Sequence, residues 1–479
     1  MADLDELTTP AGDGDTVCGV PARLVAAPRD TAEASALLRA ARGLRVVIRG
    51  GGTKLDWGPP PRGLDLIVDT RRLAGVAEHA AGEMITVVRA GTPMAELHGL
   101  PGQQLALDAP PGATAGGTVA ANASGPRRLR YGTARDLLIG ITVVRPDGTI
   151  ARAGGKVVKN VAGYDLCKLY TGAFGTLGLI TECVFRLHPV PAASRFVRAV
   201  APPGHAARIL AGQFAASAVE VNAVPGAEPE LAVLLEGTPD GVRERAAAIA
   251  DLLGGQVSAE APPWWDRPPW PGDGVGVKLT GRLSQVPALV ATAVGAGATV
   301  RGSAGTGVLY AGFPPGVTSP GNATARATDR AAASAAAAGP FSPAPVAPLS
   351  SAPVAPLSPA PVAPRVASAA PAPGSAARPS ASATPGSGPA APRPRPGCSA
   401  TAEGTATAEG TVEVGRAVEL LRAAATRAGG HAVVLVAPAG VRDTLDRWGP
   451  VPGLALMRRV KDRFDPDHRF APGRFVGGI

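Results

Sequence analysis

The chain has 479 residues, of which 45% are hydrophobic and 4% aromatic, and it carries a formal charge of +9 at neutral pH. This length predicts two or three domains. The positive charge alone would suit a nucleic-acid partner, but Lys and Arg are scattered, without a dense basic run or interleaved aromatic residues, which argues against one. The four cysteines show no CxxC or CxxxC spacing, so the sequence encodes neither a zinc site nor an iron–sulfur cluster.

The first stretch of the chain, residues 1–18, has the composition of a flexible tail. It is acidic and lacks the apolar region of a signal peptide. No run in the sequence approaches the roughly 20 apolar residues of a membrane span. The small number of cysteines fits a reducing compartment. We therefore expect a soluble, cytoplasmic protein.

Helices and strands alternate over the next part of the chain. Asp30 and Glu33 have the spacing of a capping box, and apolar residues at helical spacing follow until Gly43. Residues 45–50, 64–70, 83–91 and 137–144 are predicted strands, and a short helix is predicted to start at Thr92. Such alternation is typical of an α+β or α/β layer architecture.

Three glycine-rich loops lie between these apolar runs, at residues 50–54, 112–132 and 172–178. Glycine lets backbone N–H groups approach a ligand closely, and successive exposed N–H groups form concavities that suit a pyrophosphate. The first loop has neither the GxxxxGK[ST] spacing of a Walker A motif nor the GxGxxG of a Rossmann fold. Together the loops predict a site for a nucleotide-type cofactor.

The second half of the chain repeats the alternation around an unusual segment. Residues 230–237 and 275–281 are predicted strands, and residues 241–255 and 283–297 are predicted helices. From about residue 314 to 410 the chain becomes rich in Pro, Ala and Ser, with an imperfect eight-residue repeat over 342–364. This composition predicts disorder with polyproline II character, either as inserted sequence without a role or as a docking ligand. A helix at 412–430 and a strand at 431–440 then resume the earlier pattern.

The sequences RGGGTKLDWG (49–58), GATAGGTVAANASGPRRLRYGTARDLLIGITVVRPDGTI (112–150) and KNVAGYDLCKLYTGAFGTLGLITE (159–182) resemble the FAD-binding domain of the PCMH, or vanillyl-alcohol oxidase type, flavoproteins. Within that superfamily the chain is most similar to the FAD-binding subunits of glycolate oxidases. The resemblance covers roughly residues 20–190, with a weaker echo in MRRVKDRFDPDHRFAPGRF (457–475).

This resemblance implies an α+β, PCMH-type two-subdomain FAD-binding fold with an α/β cap domain and a disordered Pro/Ala/Ser-rich insertion. The expected boundaries are a flexible tail at 1–18, the FAD-binding domain at 19–190, the cap at 191–313 and 411–450, the insertion at 314–410, and a C-terminal segment at 451–479 that packs on the FAD domain.

The resemblance and the glycine loops together predict the residues that bind FAD. No histidine falls in the glycine-rich loops, so we expect the FAD to be bound non-covalently. The predicted FAD-binding residues are Arg49, Gly50, Gly51, Gly52, Thr53, Lys54, Pro111, Gly112, Thr114, Gly116, Gly117, Gly125, Tyr131, Gly132, Asp136, Gly175, Thr176, Gly178 and Ile180.

The sequence identifies no catalytic residue. Lysine is scarce except near the flavin motifs, at Lys54, Lys156, Lys159 and Lys168, where it either serves the site or only caps a strand or pairs with Asp165. The basic cluster of Arg127, Arg128 and Arg130 either holds a substrate carboxylate, which the guanidinium fork matches, or forms a solvated surface run. Choosing His188 or Tyr164 as the base would be a guess.

The six histidines form no HxH or HxxH pair, so no metal site is predicted. This departs from the D-2-hydroxyacid dehydrogenases of the same superfamily, whose cap carries paired metal-binding histidines. Without an evident substrate base, the chain is expected to hold FAD while a partner oxidises glycolate.

The resemblance therefore implies the FAD-binding subunit of a glycolate oxidase complex. Its partners would be a second flavoprotein subunit and an iron–sulfur subunit, through which it would associate with the membrane. Two alternatives remain open: a self-sufficient FAD-dependent oxidoreductase acting on another hydroxy acid or a sugar alcohol, and a non-catalytic flavin-holding subunit.

Overall fold

A computed structural model describes residues 4–156, 164–315 and 408–479 of the chain, with the side chains of 408–412 left aside. Lys159 and most of the Pro/Ala/Ser-rich segment, including its repeat, lie outside the described residues. The longer helices are Thr31–Ala40, Ala115–Ala121, His205–Ala211, Pro239–Leu253, Val286–Gly295, Ala408–Arg427 and Leu454–Phe464. The shorter ones are Leu4–Leu7, Met94–His98, Arg128–Tyr131, Ala134–Leu137, Leu166–Tyr170 and Ala439–Arg442. None of the described helices is both long and apolar enough to cross a membrane.

The first sheet has four strands in the order Thr9–Pro10, Leu24–Ala26, Leu66–Asp69 and Val46–Arg49. The last three strands are parallel, and Leu66–Asp69 at their centre is buried along its whole length, as expected for a parallel strand covered on both faces. Helix Thr31–Ala40 packs on this sheet. Its N-cap residue, Asp30, accepts a hydrogen bond from the Glu33 amide at 2.8 Å, which is one half of the predicted capping box; the Glu33 carboxylate accepts from the backbone N–H of Arg29 at 3.0 Å rather than from that of Asp30.

The stretch expected to be a flexible tail is instead part of this sheet region. Thr9–Pro10 pairs with Leu24–Ala26, and Thr16–Val17 pairs with Val20–Pro21. Val17 is fully buried in a small cluster beside Val47 and Ile67. The expectation of a loose tail is therefore wrong for this stretch. The polar and glycine composition of residues 11–15 hid the edge strand Thr9–Pro10 before them and the hairpin of Thr16–Val17 and Val20–Pro21 after them.

The second sheet has five antiparallel strands in the order Ile150–Gly154, Leu138–Val144, Leu179–Arg186, Ile85–Arg89 and Val76–Ala80. One face packs against helices Ala115–Ala121 and Leu166–Tyr170, where Ile141, Cys183 and Phe185 form part of a common core. The third glycine-rich loop leads directly into strand Leu179–Arg186 at the centre of this sheet. The two sheets are the two subdomains expected of a PCMH-type fold.

The third sheet, which we call the cap sheet, has eight antiparallel strands. Their order is Gln256–Ser258, Ala193–Val200, Glu230–Gly237, Ala218–Ala223, Thr299–Ser303, Val308–Phe313, Val275–Thr280 and Ala432–Val436. Helices His205–Ala211, Pro239–Leu253, Val286–Gly295 and Ala408–Arg427 contribute to one core with a single face of this sheet. Strand Ala432–Val436 pairs with Val275–Thr280, so chain on both sides of residues 316–407 belongs to the same sheet.

The C-terminal residues return to the four-stranded sheet. Phe470 is fully buried, and Val46 forms a bridge with it. The ammonium of Lys461 is also buried, and it donates hydrogen bonds to the Asp465 carboxylate at 2.6 Å and to the carbonyls of Thr176 and Phe470 at 2.8 and 2.9 Å. This lysine connects the last helix to the third glycine-rich loop.

We expect Lys461→Met to lower the free energy of unfolding by about 3–5 kcal/mol, because it leaves the buried Asp465 carboxylate without its cation. Thermal unfolding of the purified protein measures the change. The matched control is Lys156→Met, which removes an exposed lysine paired with Glu78 and should change stability by about 1 kcal/mol or less. Equal melting temperatures for the two variants would contradict this account of the C-terminal segment.

Candidate functional site

A cleft of about 980 Å³, part of it open to solvent, lies where the three glycine-rich regions meet. Most of its lining comes from four segments: strand Val46–Arg49 with the loop after it, helix Ala115–Ala121 with its N-cap, the third glycine-rich loop, and the C-terminal residues Ala471 and Arg474. The predicted residues that line it are Gly50, Gly51, Gly52, Thr53, Lys54, Thr114, Gly116, Gly117, Gly175, Gly178 and Ile180.

Glycine is required where these loops touch one another. A Cβ at Gly51 would overlap the carbonyl oxygen of Gly112, so the first two glycine-rich loops can meet only if residue 51 has no side chain. A Cβ at Gly116 would lie 2.6 Å from the Cβ of Ala90 in the five-stranded sheet. The first glycine joins the two loops, and the second seats helix Ala115–Ala121 against the sheet.

Two buried polar groups on the cleft wall have no hydrogen-bond partner among the described residues. They are the hydroxyl of Thr118 and one terminal nitrogen, Nη1, of Arg474. The other terminal nitrogen of Arg474 donates to the carbonyls of Leu55 and Trp57 at 2.8 and 2.7 Å, which fixes the guanidinium in place. Buried polar atoms are rarely left unpaired, so these groups fit a polar ligand such as the diphosphate or ribityl hydroxyls of a flavin nucleotide.

Eight of the predicted residues do not line the cleft, and the structure gives several of them other contacts. The Arg49 guanidinium forms ion pairs with Asp15 and Asp69 at 2.7 and 3.0 Å. Asp136 completes a capping box with Thr133, and the Thr176 hydroxyl donates to the Ala173 carbonyl. The eight residues are Arg49, Pro111, Gly112, Gly125, Tyr131, Gly132, Asp136 and Thr176.

Tyr131 links the FAD-side region to the cap sheet. Its hydroxyl donates to the Glu236 carboxylate at 3.0 Å, and its ring meets the edge of the His188 ring at 4.8 Å. Burial and the nearby Glu236 raise the pKa of Tyr131 to about 12. Tyr131 is therefore a junction residue, and His188, which stacks on it, is placed at the junction rather than in the cleft.

The basic cluster is not a solvated run. Arg127 donates to the Asp108 carboxylate from its backbone N–H and from Nε at 2.8 and 2.6 Å, and its side chain is only 16% exposed. Arg130 donates to the carbonyl of Glu236 at 3.0 Å. Among the described residues, the Arg128 guanidinium makes one hydrogen bond, to the Ser124 hydroxyl at 3.1 Å. Arg127 and Arg130 thus bond to distant parts of the fold, whereas the described side-chain bond of Arg128 is local.

The remaining lysine and tyrosine candidates differ in whether they line the cleft. Lys54 lines the cleft, with its ammonium 5.0 Å from the Trp57 ring centre. Lys156 pairs with Glu78, and the Lys168 ammonium donates to the carbonyl of Arg135, so both are engaged outside the cleft. Tyr164 is 95% exposed, which removes the enclosure that a catalytic base needs.

Sequence reasoning missed several lining residues, including Thr118, Phe174 and Arg474. Thr118 lies one helical turn after Thr114, so helical periodicity from the N-cap was the available signal. Arg474 lies in the C-terminal stretch 457–475 that weakly resembles the family. It is far along the chain from the glycine-rich loops, so no local pattern linked it to them. Phe174 takes a left-handed backbone conformation with φ +54°, which nothing in its flanking glycines specifies.

Comparison with known proteins identifies the cofactor. Residues 22–154 match the family described as "FAD binding domain". Over 179 residues, or 35% of this chain, the sequence is 36% identical to a D-lactate dehydrogenase of Archaeoglobus fulgidus. Over 220 residues, or 45% of this chain, it is 33% identical to glycolate oxidase subunit GlcE of Escherichia coli. The chain therefore carries a PCMH-type FAD-binding domain, and FAD is its cofactor.

The matched segments span 39% and 61% of the lengths of these two relatives. A glycolate oxidase subunit GlcD of Bacillus subtilis is 36% identical over 174 residues, which is 35% of this chain and 37% of that protein. Among solved structures, a chitooligosaccharide oxidase aligns with a TM-score of 0.48 at 16% identity, over 64% of this chain and 80% of that one.

We expect Gly117→Val to abolish FAD binding while the protein stays folded. Gly117 lines the cleft, and its backbone φ is not in the left-handed region, so the branched side chain would fill the FAD site without straining the backbone. Flavin absorbance per protein after gel filtration measures the loss. The control is Gly295→Val, at the exposed end of a cap helix where a new Cβ meets no atom. Normal flavin content in Gly117→Val would remove this residue from the site.

We also expect acid precipitation to release the flavin into the supernatant. The described cleft is lined by neither histidine nor cysteine, the side chains that commonly carry covalent flavin. The absorption spectrum of supernatant and pellet decides between the two forms of attachment. Yellow colour retained in the washed pellet would show that the FAD is covalently bound.

Proposed function

We propose that the chain oxidises a small 2-hydroxy acid at its FAD and passes the electrons to partner subunits. The observation that carries this proposal is the glycine-lined cleft, whose Lys54 interacts electrostatically with Asp266 in the loop before cap strand Val275–Thr280, so that a substrate can lie between the cleft and the cap. The relatives' names support the substrate class, since glycolate and D-lactate are both 2-hydroxy acids.

The chemistry divides between cofactor and protein. Bound FAD supplies the two-electron acceptor, and the chain supplies position, charge and a place for the substrate's proton. Thr118 and Arg474 would satisfy polar groups of the cofactor, and the contact of Gly51 with Gly112 would hold the two loops against it. The substrate then needs an anchor for its carboxylate and a proton acceptor within hydrogen-bond reach.

A glycolate oxidase complex with a second flavoprotein subunit and an iron–sulfur subunit is the arrangement we propose for the electron acceptors. Similarity to proteins named as glycolate oxidase subunits supports a multi-subunit assembly. No group of three or more His, Cys, Asp or Glu that could hold a metal occurs among the described residues. Within that part of the chain, a relay beyond the flavin would thus have to come from partners.

Similarity to D-lactate dehydrogenases favours a second candidate, a self-sufficient oxidoreductase. The two candidates differ in the second half of the cycle, because a self-sufficient enzyme hands its electrons to a small acceptor without partner subunits. A third possibility is a subunit that holds FAD without turning over. It differs from both candidates in the first half of the cycle, because no substrate would reduce its flavin.

We expect anaerobic addition of glycolate or D-lactate to bleach the flavin absorption of the isolated FAD-loaded chain. We also expect turnover with oxygen to stay slow until partner subunits or an artificial acceptor are added. Stopped-flow absorbance follows the first step and acceptor reduction follows the second. Rapid oxygen-dependent turnover would establish the self-sufficient enzyme. An FAD-loaded chain that no 2-hydroxy acid bleaches would be a flavin-holding subunit.

A further inference from the structure

A short row of aromatic contacts leads away from the wall of the glycine-lined cleft. It begins at Phe174, which lines the cleft. The Phe174 ring stacks on Phe475 with ring centres 5.8 Å apart, and Phe475 meets Trp448 edge to face at 5.9 Å. All three residues are partly exposed. Two ring contacts therefore separate the cleft wall from Trp448, which lies in the loop before the last long helix.

That helix, Leu454–Phe464, is in contact with the same C-terminal residues. The side chain of Leu454 packs against Gly477, where a Cβ would lie 2.4 Å from a methyl carbon of the leucine. Arg458 donates a hydrogen bond to the Gly477 carbonyl at 3.4 Å. Gly477 follows Phe475 by two residues. The first turns of the helix thus lie beside the aromatic row.

One face of this helix is packed and the other is open. On the packed face Lys461 is buried, and Phe464 meets the edge of the Tyr170 ring at 5.9 Å. On the open face Leu456 and Met457 are 58% and 40% exposed. Among the described residues, no other two exposed large apolar side chains are adjacent in sequence. Since the open face of a surface helix usually carries polar residues, this apolar pair indicates a contact surface.

Positive charge adjoins the apolar pair. Arg459 and Arg463 follow Leu456 by three and seven residues, so the three side chains share one side of the helix. Both arginines are exposed, and neither forms a hydrogen bond or ion pair with another described residue. The acid between them, Asp462, lies 2.9 Å from a ring nitrogen of His468. The open face therefore combines an apolar centre with unpaired cations.

We propose that this surface docks the protein that accepts the chain's electrons. We call it the C-terminal surface and define it by Trp448, Leu456, Met457, Arg459 and Arg463. The inference rests on the proposed function, which requires such an acceptor. Charge complementarity gives the partner's chemistry, because unpaired arginines around an apolar centre match an apolar patch surrounded by carboxylates.

The position of the surface supports an electron acceptor rather than another kind of protein. Electron transfer between two redox groups slows steeply as the protein between them thickens, so an acceptor has to dock close to the cleft. The contacts from Phe174 through Phe475 to Trp448 place the C-terminal surface beside the cleft wall. A protein docked there is separated from the cleft by the thickness of a few side chains.

The transfer balances across this surface. Oxidation of one 2-hydroxy acid to its 2-oxo acid releases two electrons and two protons. The electrons pass to an iron–sulfur cluster or a flavin held by the partner, which is thereby reduced, and the protons go to water. The partner does not enter the cleft, so oxidation of the substrate with a small artificial acceptor does not depend on the C-terminal surface.

Packing and charge argue against two other occupants. A basic helix that lies on an anionic membrane inserts a whole apolar face, whereas here the inner face is already packed and only Leu456 and Met457 remain. A second copy of this chain, docked symmetrically, would bring the same surface against itself and place its arginines opposite one another. An acidic partner has neither difficulty.

The test uses the full chain, tagged and expressed in the organism that encodes it, so that its own partners are present. Light scattering gives the mass of the purified protein, and iron and flavin analysis gives its redox groups. We expect the unaltered chain to elute with a partner that carries iron or a second flavin. We expect the double variant Leu456→Glu, Arg459→Glu to elute as a single FAD-loaded chain, because it puts charge into the apolar centre and reverses a cation.

The matched control is the double variant Val200→Glu, Arg208→Glu, which makes the same kind of change at an exposed strand residue and an exposed helix residue of the cap. It should keep the partner. Both double variants should keep the flavin content of the unaltered chain and its bleaching by a 2-hydroxy acid. A complex that survives Leu456→Glu, Arg459→Glu, or that is lost in both double variants, would overturn the assignment.

The salt dependence of electron transfer tests the charges. We expect reduction of the partner's iron–sulfur cluster or flavin, followed by stopped-flow absorbance, to slow as salt is added, because exposed charges are screened. The double variant Arg459→Gln, Arg463→Gln should be at least tenfold slower at low salt, with a flatter salt profile and unchanged reduction of dichlorophenolindophenol. A rate and salt profile equal to those of the unaltered chain would exclude these arginines from docking.

Other occupants give distinct results. A dimer of this chain that Leu456→Glu, Arg459→Glu dissociates would assign the surface to a second copy. Sedimentation of the chain with phosphatidylglycerol vesicles, lost in the same variant, would assign it to a lipid surface. A partner that carries neither iron nor flavin would show that the surface does not serve electron transfer. Each of these results overturns the proposal.

Failure of the docking surface is separable from failure of the proposed oxidation. If a 2-hydroxy acid bleaches the flavin of the unaltered chain and the chain purifies alone, the oxidation stands and the docking surface falls. If the complex depends on the C-terminal surface and no 2-hydroxy acid bleaches the flavin, the docking surface stands and the oxidation of this substrate class falls.

Discussion

The contact between Gly51 and the Gly112 carbonyl is the constraint on which the cleft depends. It brings the loop after a parallel strand against the loop that precedes helix Ala115–Ala121, and these loops belong to different sheets. Any side chain at position 51 would separate them. The C-terminal segment then closes the site from a third direction, since Arg474 holds the carbonyls of Leu55 and Trp57 and Lys461 holds the carbonyl of Thr176. The cleft is thus built from backbone atoms that remote charged side chains keep in place.

A second set of contacts sets the position of the cap relative to this cleft. Tyr131 and Arg130 bond to Glu236 of the cap sheet, while Arg127 of the same short segment bonds to Asp108. The Tyr131 bond is buried and the two arginine bonds are partly buried. A hydrogen bond to a charged group contributes roughly 1.5–3 kcal/mol. The segment that follows the second glycine-rich loop therefore serves as a clamp. This explains why a sequence so rich in arginine exposes little of Arg127.

The sequence predicted the features that are local. Asp30 with Glu33 gave the start of a helix, and glycines between apolar runs gave the loops and eleven of the cleft's lining residues. It failed where a role depends on contacts distant along the chain. Tyr131, predicted to contact FAD, does not line the cleft, and its hydroxyl bonds to Glu236 of the cap sheet, 105 residues along the chain. Residues 9–17 have no periodicity of their own, and they form strands because neighbours at 20–26 supply the partners. The order of helices and strands along the chain also does not determine which strands of the cap sheet become neighbours, so their antiparallel pairing could not be predicted.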